Sequence, residues 1–164
     1  MAIDAFVKLF TPDIKGESTD DSHKEWMEVL SYSWGMSQPA SIASGTGGRS
    51  AERVNVSDFS FMKVLDAASV DLMLNCAKGQ HFAKAELQVH EAAGDKHQFL
   101  KYTMENVLIS SYQPSGSGGG DKPMESVTLN FGKISWEYTP TTHDGKPGTK
   151  VGPKGWNLEE NKSM

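Results

Sequence analysis

Two glycine-rich stretches, SGTGGRS at 44–50 and SGSGGGDKP at 115–123, are the first places to look for chemistry. A phosphate cradle needs glycines that open a helix and end in Lys-Ser or Lys-Thr, so that backbone N–H groups and an ammonium converge on the anion. Neither stretch ends that way, and both read as surface loops. The histidines His23, His81, His90, His97 and His143 show no metal-ligand spacing, and Cys76 has no Cys or His partner at zinc-site distance. No metal and no cofactor is expected. Cys76 falls within a helical pattern, which suits a small buried residue better than a nucleophile. Glu17, Asp20 and Asp21 lack the closing glutamate of a calcium loop and read as a solvated turn. Asn55-Val56-Ser57 and Asn161-Lys162-Ser163 match the glycosylation sequon, which carries no weight without a secretory signal. Catalytic residues are therefore expected to be absent, and the chain is read as a protein that is not an enzyme.

The elements that would position any site are mostly strands. At the amino terminus Ile3, Ala5, Val7 and Leu9 alternate with polar residues, which favours a strand over an unbroken apolar secretory segment. A polar connection over 11–24 follows. Next comes a strand that places Leu30, Tyr32 and Trp34 on one face and Ser31, Ser33 and Gly35 on the other. Residues 38–52 are small and glycine-rich, a long loop of the kind that has a task. Val54 and Val56 then alternate out of phase with Phe59 and Phe61, which predicts a bulge at Ser57 and Asp58.

Asp66 as N-cap, Lys78 in the last turn and Gly79 beyond it predict a helix over 67–78, with Val70, Met73, Leu74 and Ala77 as its apolar stripe. The segment from Phe82 alternates with Ala83, Ala85, Leu87 and Val89 inward and Lys84, Glu86, Gln88 and His90 outward, and residues 92–96 make a hairpin. Two long strands follow, each changing phase midway, near Glu105 and Asn106 in one and at Gly132 in the other. Trp156 is expected to tie the extended 139–164 segment to the body. This pattern predicts a mainly β single domain over 1–164, a β-barrel of two bent antiparallel sheets with one α-helix.

Length and balance support one globular domain, with 164 residues, 37% hydrophobic and 23% charged. A net charge of -5 argues against nucleic acid or an anionic membrane as partner, and no apolar run is long enough to span a bilayer. Proteins are the expected partners. A single cysteine fits a chain made in the cytoplasm. The tryptophans Trp26, Trp34, Trp136 and Trp156 leave one alternative open, a carbohydrate-binding β-sandwich.

The stretch MAIDAFVKLFTPDIKGESTDDSHKEWMEVLSYSWGMSQP, the helical DAASVDLMLNCAKG, the segment ISSYQPSGSGGGDKPMESVTLNFGKISWEY and GPKGWNLEENK together resemble the hemolysin-coregulated protein (Hcp) family. That resemblance implies the tube subunit of bacterial type VI secretion, a hexameric ring that stacks on copies of itself. It implies as partners a spike trimer (VgrG), a contractile sheath and small effectors in the lumen, and export without a signal peptide. Carried onto this chain, Ser31 and Ser33 correspond to lumen-facing, effector-contacting positions. The loop containing Pro39, Ser41, Gly45, Gly47, Gly48 and Arg49 corresponds to the ring-stacking hairpin.

Overall fold

The computed structural model describes residues 2–41, 50–92 and 96–164. The strands are β1 (Ile3–Phe10), β2 (Met27–Val29), β3 (Ser31–Ser33), β4 (Met36–Ser37), β5 (Ala40–Ser41), β6 (Ser50–Ala51), β7 (Asn55–Val56) and β8 (Phe59–Val64). After the helix α1 (Ser69–Lys78) come β9 (His81–Glu91), β10 (Gln98–Ser115), β11 (Met124–Tyr138), β12 (Val151–Asn157) and β13 (Lys162–Ser163). The main sheet is antiparallel, in the order β13-β12-β11-β10-β9-β1-β2, with β8 on β11 and β3 on β8. Two short ladders, β4–β7 and β5–β6, make the base of a hairpin.

The expected barrel is corrected to an open sheet folded on itself. Among the described residues β2 pairs only with β1, and β3 pairs only with β8. Leu30 lies between β2 and β3, outside both strands, and its N–H donates to Met62 O at 2.8 Å in place of a ladder. The predicted apolar face of this strand also breaks there, because Leu30 is 60% exposed while Tyr32 and Trp34 pack on the core.

The midway phase changes are one feature shared by three strands. Phe82, Val107 and Phe131 form one buried row, and Ala85, Met104 and Ile134 form the next. Each step is three residues, so the inward face changes parity on β9, β10 and β11 together, while the register stays in step. Asn106 takes the turn at φ 53°. The Glu159 side chain lies over Gly132 at the crease, so a side chain at 132 would have to displace it. The β10–β11 bulge lies instead between Ile109 and Ser111. The slip predicted at Ser57 and Asp58 is a change of ladder, from β7 on β4 to β8 on β3 and β11, and not a bulge. On β9, Phe82 is the buried residue and Ala83 is exposed, while Glu86 and His90, expected outside, are buried.

The helix begins at Ser69, with Ala68 as its N-cap, and ends on Gly79 at φ 65°. Asp66, two residues before that N-cap, accepts the Ala68 N–H at 2.9 Å. Its buried stripe is Ala68, Leu72 and Cys76, spaced by four, and Val70, Met73 and Leu74 face outward, Val70 being 72% exposed. Two apolar stripes compete on this helix. The one built of smaller residues at its ends lets the backbone approach the sheet.

Candidate functional site

Side chains opposite each other in a ladder share a face, so the register assembles a surface from separated residues. Ser33 pairs with Ser60, Ser60 with Thr128 and Thr128 with Ser111, a row of four hydroxyls across β3, β8, β11 and β10. Ser60 Oγ and Thr128 Oγ1 are 3.0 Å apart. The neighbouring row runs Ser31, Met62, Ser126 and Gln113. Ser31 and Ser33 are both exposed. Residues of the intervening parity, Tyr32, Phe61 and Val127, pack in the core. The sequence reading named Ser31 and Ser33 and missed the hydroxyls beside them. Those were readable as the alternate positions of FSFMKV and SVTLNF, once these strands were known to be neighbours.

Of the hairpin residues, Pro39 is partly buried and its carbonyl accepts the Glu52 N–H at 3.1 Å, and Ser41 pairs with Ser50. The predicted long loop therefore has a ladder at its base. Gly45, Gly47, Gly48 and Arg49 lie outside the described residues. Ser57 locks the base further, its Oγ accepting the Gly35 N–H at 2.6 Å.

Beneath the hydroxyl face, Lys63 and Glu125 are buried as an ion pair at 3.1 Å, with Asp66 Oδ1 2.7 Å from the same ammonium and the Ser69 hydroxyl donating to Glu125. Burial raises the Tyr112 phenol, and the adjacent Glu125 carboxylate raises it further. This network joins β8 and β11 to the start of α1. All four tryptophans are partly buried, Trp34 stacking on Trp136 at 6.0 Å and Trp26 meeting His23 edge-on. Trp34 and Trp136 pack against the core, and Trp136 and Trp156 together line an apolar cleft with Met36, Val54 and Val56.

Comparison with known proteins agrees with this architecture over the full length. Residues 6–138 match the family model described as type VI secretion system effector, Hcp. The chain is 42% identical over 163 residues to Protein hcp1 of Pseudomonas aeruginosa, covering 98% of each. A solved structure described as a type six secretion system protein superposes with a TM-score of 0.93 at 41% identity, over 99% of this chain and 100% of that one. Hcp1 from Salmonella typhimurium superposes with a TM-score of 0.78 at 32% identity, with 100% of both chains covered. The chain therefore shares its fold with these proteins, and it belongs to the Hcp family of type VI secretion.

Proposed function

We propose that this chain is the tube subunit of a type VI secretion system, a structural protein and not an enzyme, working as a closed ring of six identical copies. The supporting observation lies at the two ends of the main sheet. Among the described residues β2, β3 and β13 each pair on one side only, and exposed apolar residues lie beside them, Ile3 and Leu30 near β2 and β3 and Tyr138, Val151 and Met164 near β12 and β13. A free strand edge beside apolar surface is completed by another chain, and joining one end to the opposite end of the next copy closes a cycle.

In this reading the rows of Ser31 and Ser33 line the lumen and hold small effectors by hydroxyl contacts. The hairpin above Pro39 and Ser41 reaches the next ring. The tube sits under a spike trimer (VgrG), is driven by a contractile sheath, and leaves the cytoplasm for the medium or a target cell without a cleaved signal.

Negative-stain microscopy of the purified protein tests the assembly, with sixfold annuli expected and a monomer at every concentration overturning it. Ser33→Gln tests the lumen. Its rings should form normally and retain less effector, and unchanged retention and export of every effector would remove Ser33 from the cargo surface.

A further inference from the structure

The polar turn over 11–26 carries a buried histidine whose two ring nitrogens both face acceptors. His23 Nδ1 is 2.9 Å from Asp20 Oδ2, and Nε2 is 2.7 Å from Gln88 Oε1. The Gln88 amide is oriented by its own nitrogen, which donates to Glu86 Oε2 at 3.2 Å, so its oxygen faces His23. A neutral imidazole has one N–H and can satisfy only one of the two acceptors, whereas the imidazolium satisfies both.

The surroundings favour that cation. The His23 ring lies nearly parallel to Phe6 at 4.6 Å and to His90 at 4.5 Å, while Phe6 and His90 are 5.2 Å apart, so His23 covers both. A cation over an aromatic face is attracted by the ring quadrupole. Among the described residues, carboxylates outnumber ammonium groups around it. Asp20 lies on the same turn, Asp4 on β1, and Glu28 stands opposite Phe6 on β2, against Lys96 at 3.3 Å from Asp20. Glu86 on β9 is shared between Lys84 at 3.2 Å and Lys101 of β10 at 3.6 Å. His90 is buried with no partner on Nε2 among the described residues, and burial followed by the nearby His23 lowers its affinity for a proton.

We infer that His23 and His90 together hold one proton beyond the neutral pair, carried on His23, and that this added proton latches the 11–26 turn onto β1 and β9. A metal ion suits the group poorly. Although one ligand atom each of Asp20, His23 and His90 lies within 4.8 Å of the others, the two imidazole planes are only 19° apart. Their in-plane lone pairs run alongside each other instead of converging on one ion. The turn also accepts the Ala67 N–H on Glu17 Oε2 at 2.9 Å, so the latch holds the approach to α1 as well. Losing the proton leaves an acceptor in the buried pair unserved and loosens the turn.

Histidine-selective ¹⁵N NMR at about pH 7.5, where an ordinary imidazole is mostly neutral, reads the site directly. The expected spectrum has both His23 nitrogens protonated and His90 neutral. In Gln88→Met, which removes one acceptor, His23 should become neutral at the same pH. His90→Phe keeps the aromatic cover and should leave His23 charged, which preserves the test if Gln88→Met does not fold. The Gly16, Ser18 and Glu25 amides, which close the turn, should exchange about tenfold faster at pH 8.5 than at pH 6 after correction for intrinsic rates. A neutral His23 in the wild type, a pH-independent corrected exchange rate, or ring resonances moved to metal-bound values by one equivalent of Zn²⁺ would each overturn the assignment.

Discussion

Lys63 is fully buried between two carboxylates, and the backbone could not place it there without both. An ammonium taken out of water needs its charge and its donors matched, and Asp66, Glu125 and Ser69 supply that match. Lys63→Met removes the positive charge and strands Glu125, so urea unfolding should show a loss of about 3–5 kcal/mol. The double variant Lys63→Met, Glu125→Leu should recover part of that loss, and a single variant within about 0.5 kcal/mol of wild type would deny the pair its role. Asp20 gives a separate handle. The hydrogen bond from His23, with Lys96 nearby, lowers its carboxyl from 3.8 to about 2. A depressed carboxylate stabilises the fold above its unfolded value and loses that contribution as pH falls through about 2. The melting temperature should therefore fall more steeply between pH 4 and pH 2 in wild type than in Asp20→Asn, the difference amounting to no more than about 2 kcal/mol. Parallel pH–melting curves for the two proteins would refute it.

The crease across β9, β10 and β11 lets one continuous sheet wrap its own core. It passes through Asn106 in the left-handed region, with Asn106 Nδ2 donating to the Glu159 side chain that lies over Gly132. Asn106→Gly should fold with little loss, since glycine adopts positive φ freely, whereas Asn106→Val should cost about 1–2 kcal/mol or more in thermal unfolding. Equal stability for the two would mean that the turn is not conformationally demanding. This crease was visible in sequence as a phase change, because Met104 and Val107, or Phe131 and Ile134, cannot both face inward on a straight strand. What a single strand could not disclose is that three of them turn in the same row, which depends on pairing. The helix shows the same limit: its C-terminal end was marked by local chemistry at Lys78 and Gly79, while its start lies two residues beyond the one expected from Asp66, and its buried stripe was chosen by how closely Ala68 and Cys76 let it approach the sheet. His23 and His90 were individually silent, since 67 residues of chain separate them and only the β1–β9 ladder brings Phe6 and His90 under the turn.

At the scale of the whole molecule, the sheet has two unlike ends, and a contact between unlike ends makes a stronger prediction than a contact of like with like. Leu30 is exposed beside β2, and Val151 is exposed on β12 at the other end. In the proposed ring, replacing either by aspartate places a carboxylate where the next copy would exclude water, at a cost of several kcal/mol per joint, while an exposed site on the separate subunit should change its own stability by no more than about 0.5 kcal/mol. Leu30→Asp and Val151→Asp should each sediment as a folded monomer. Mixed in equal amounts, they retain one intact pair of ends between them, the β2 end of Val151→Asp and the β13 end of Leu30→Asp. That pair can form one joint, and every further joint needs a damaged end. The mixture should therefore stop at a dimer, without rings. Contact between like ends predicts that each variant alone dimerises through its undamaged end, so sedimentation velocity on the two variants and their mixture separates the arrangements. A Leu30→Asp protein that still forms closed rings would show that this end of the sheet is not where copies meet.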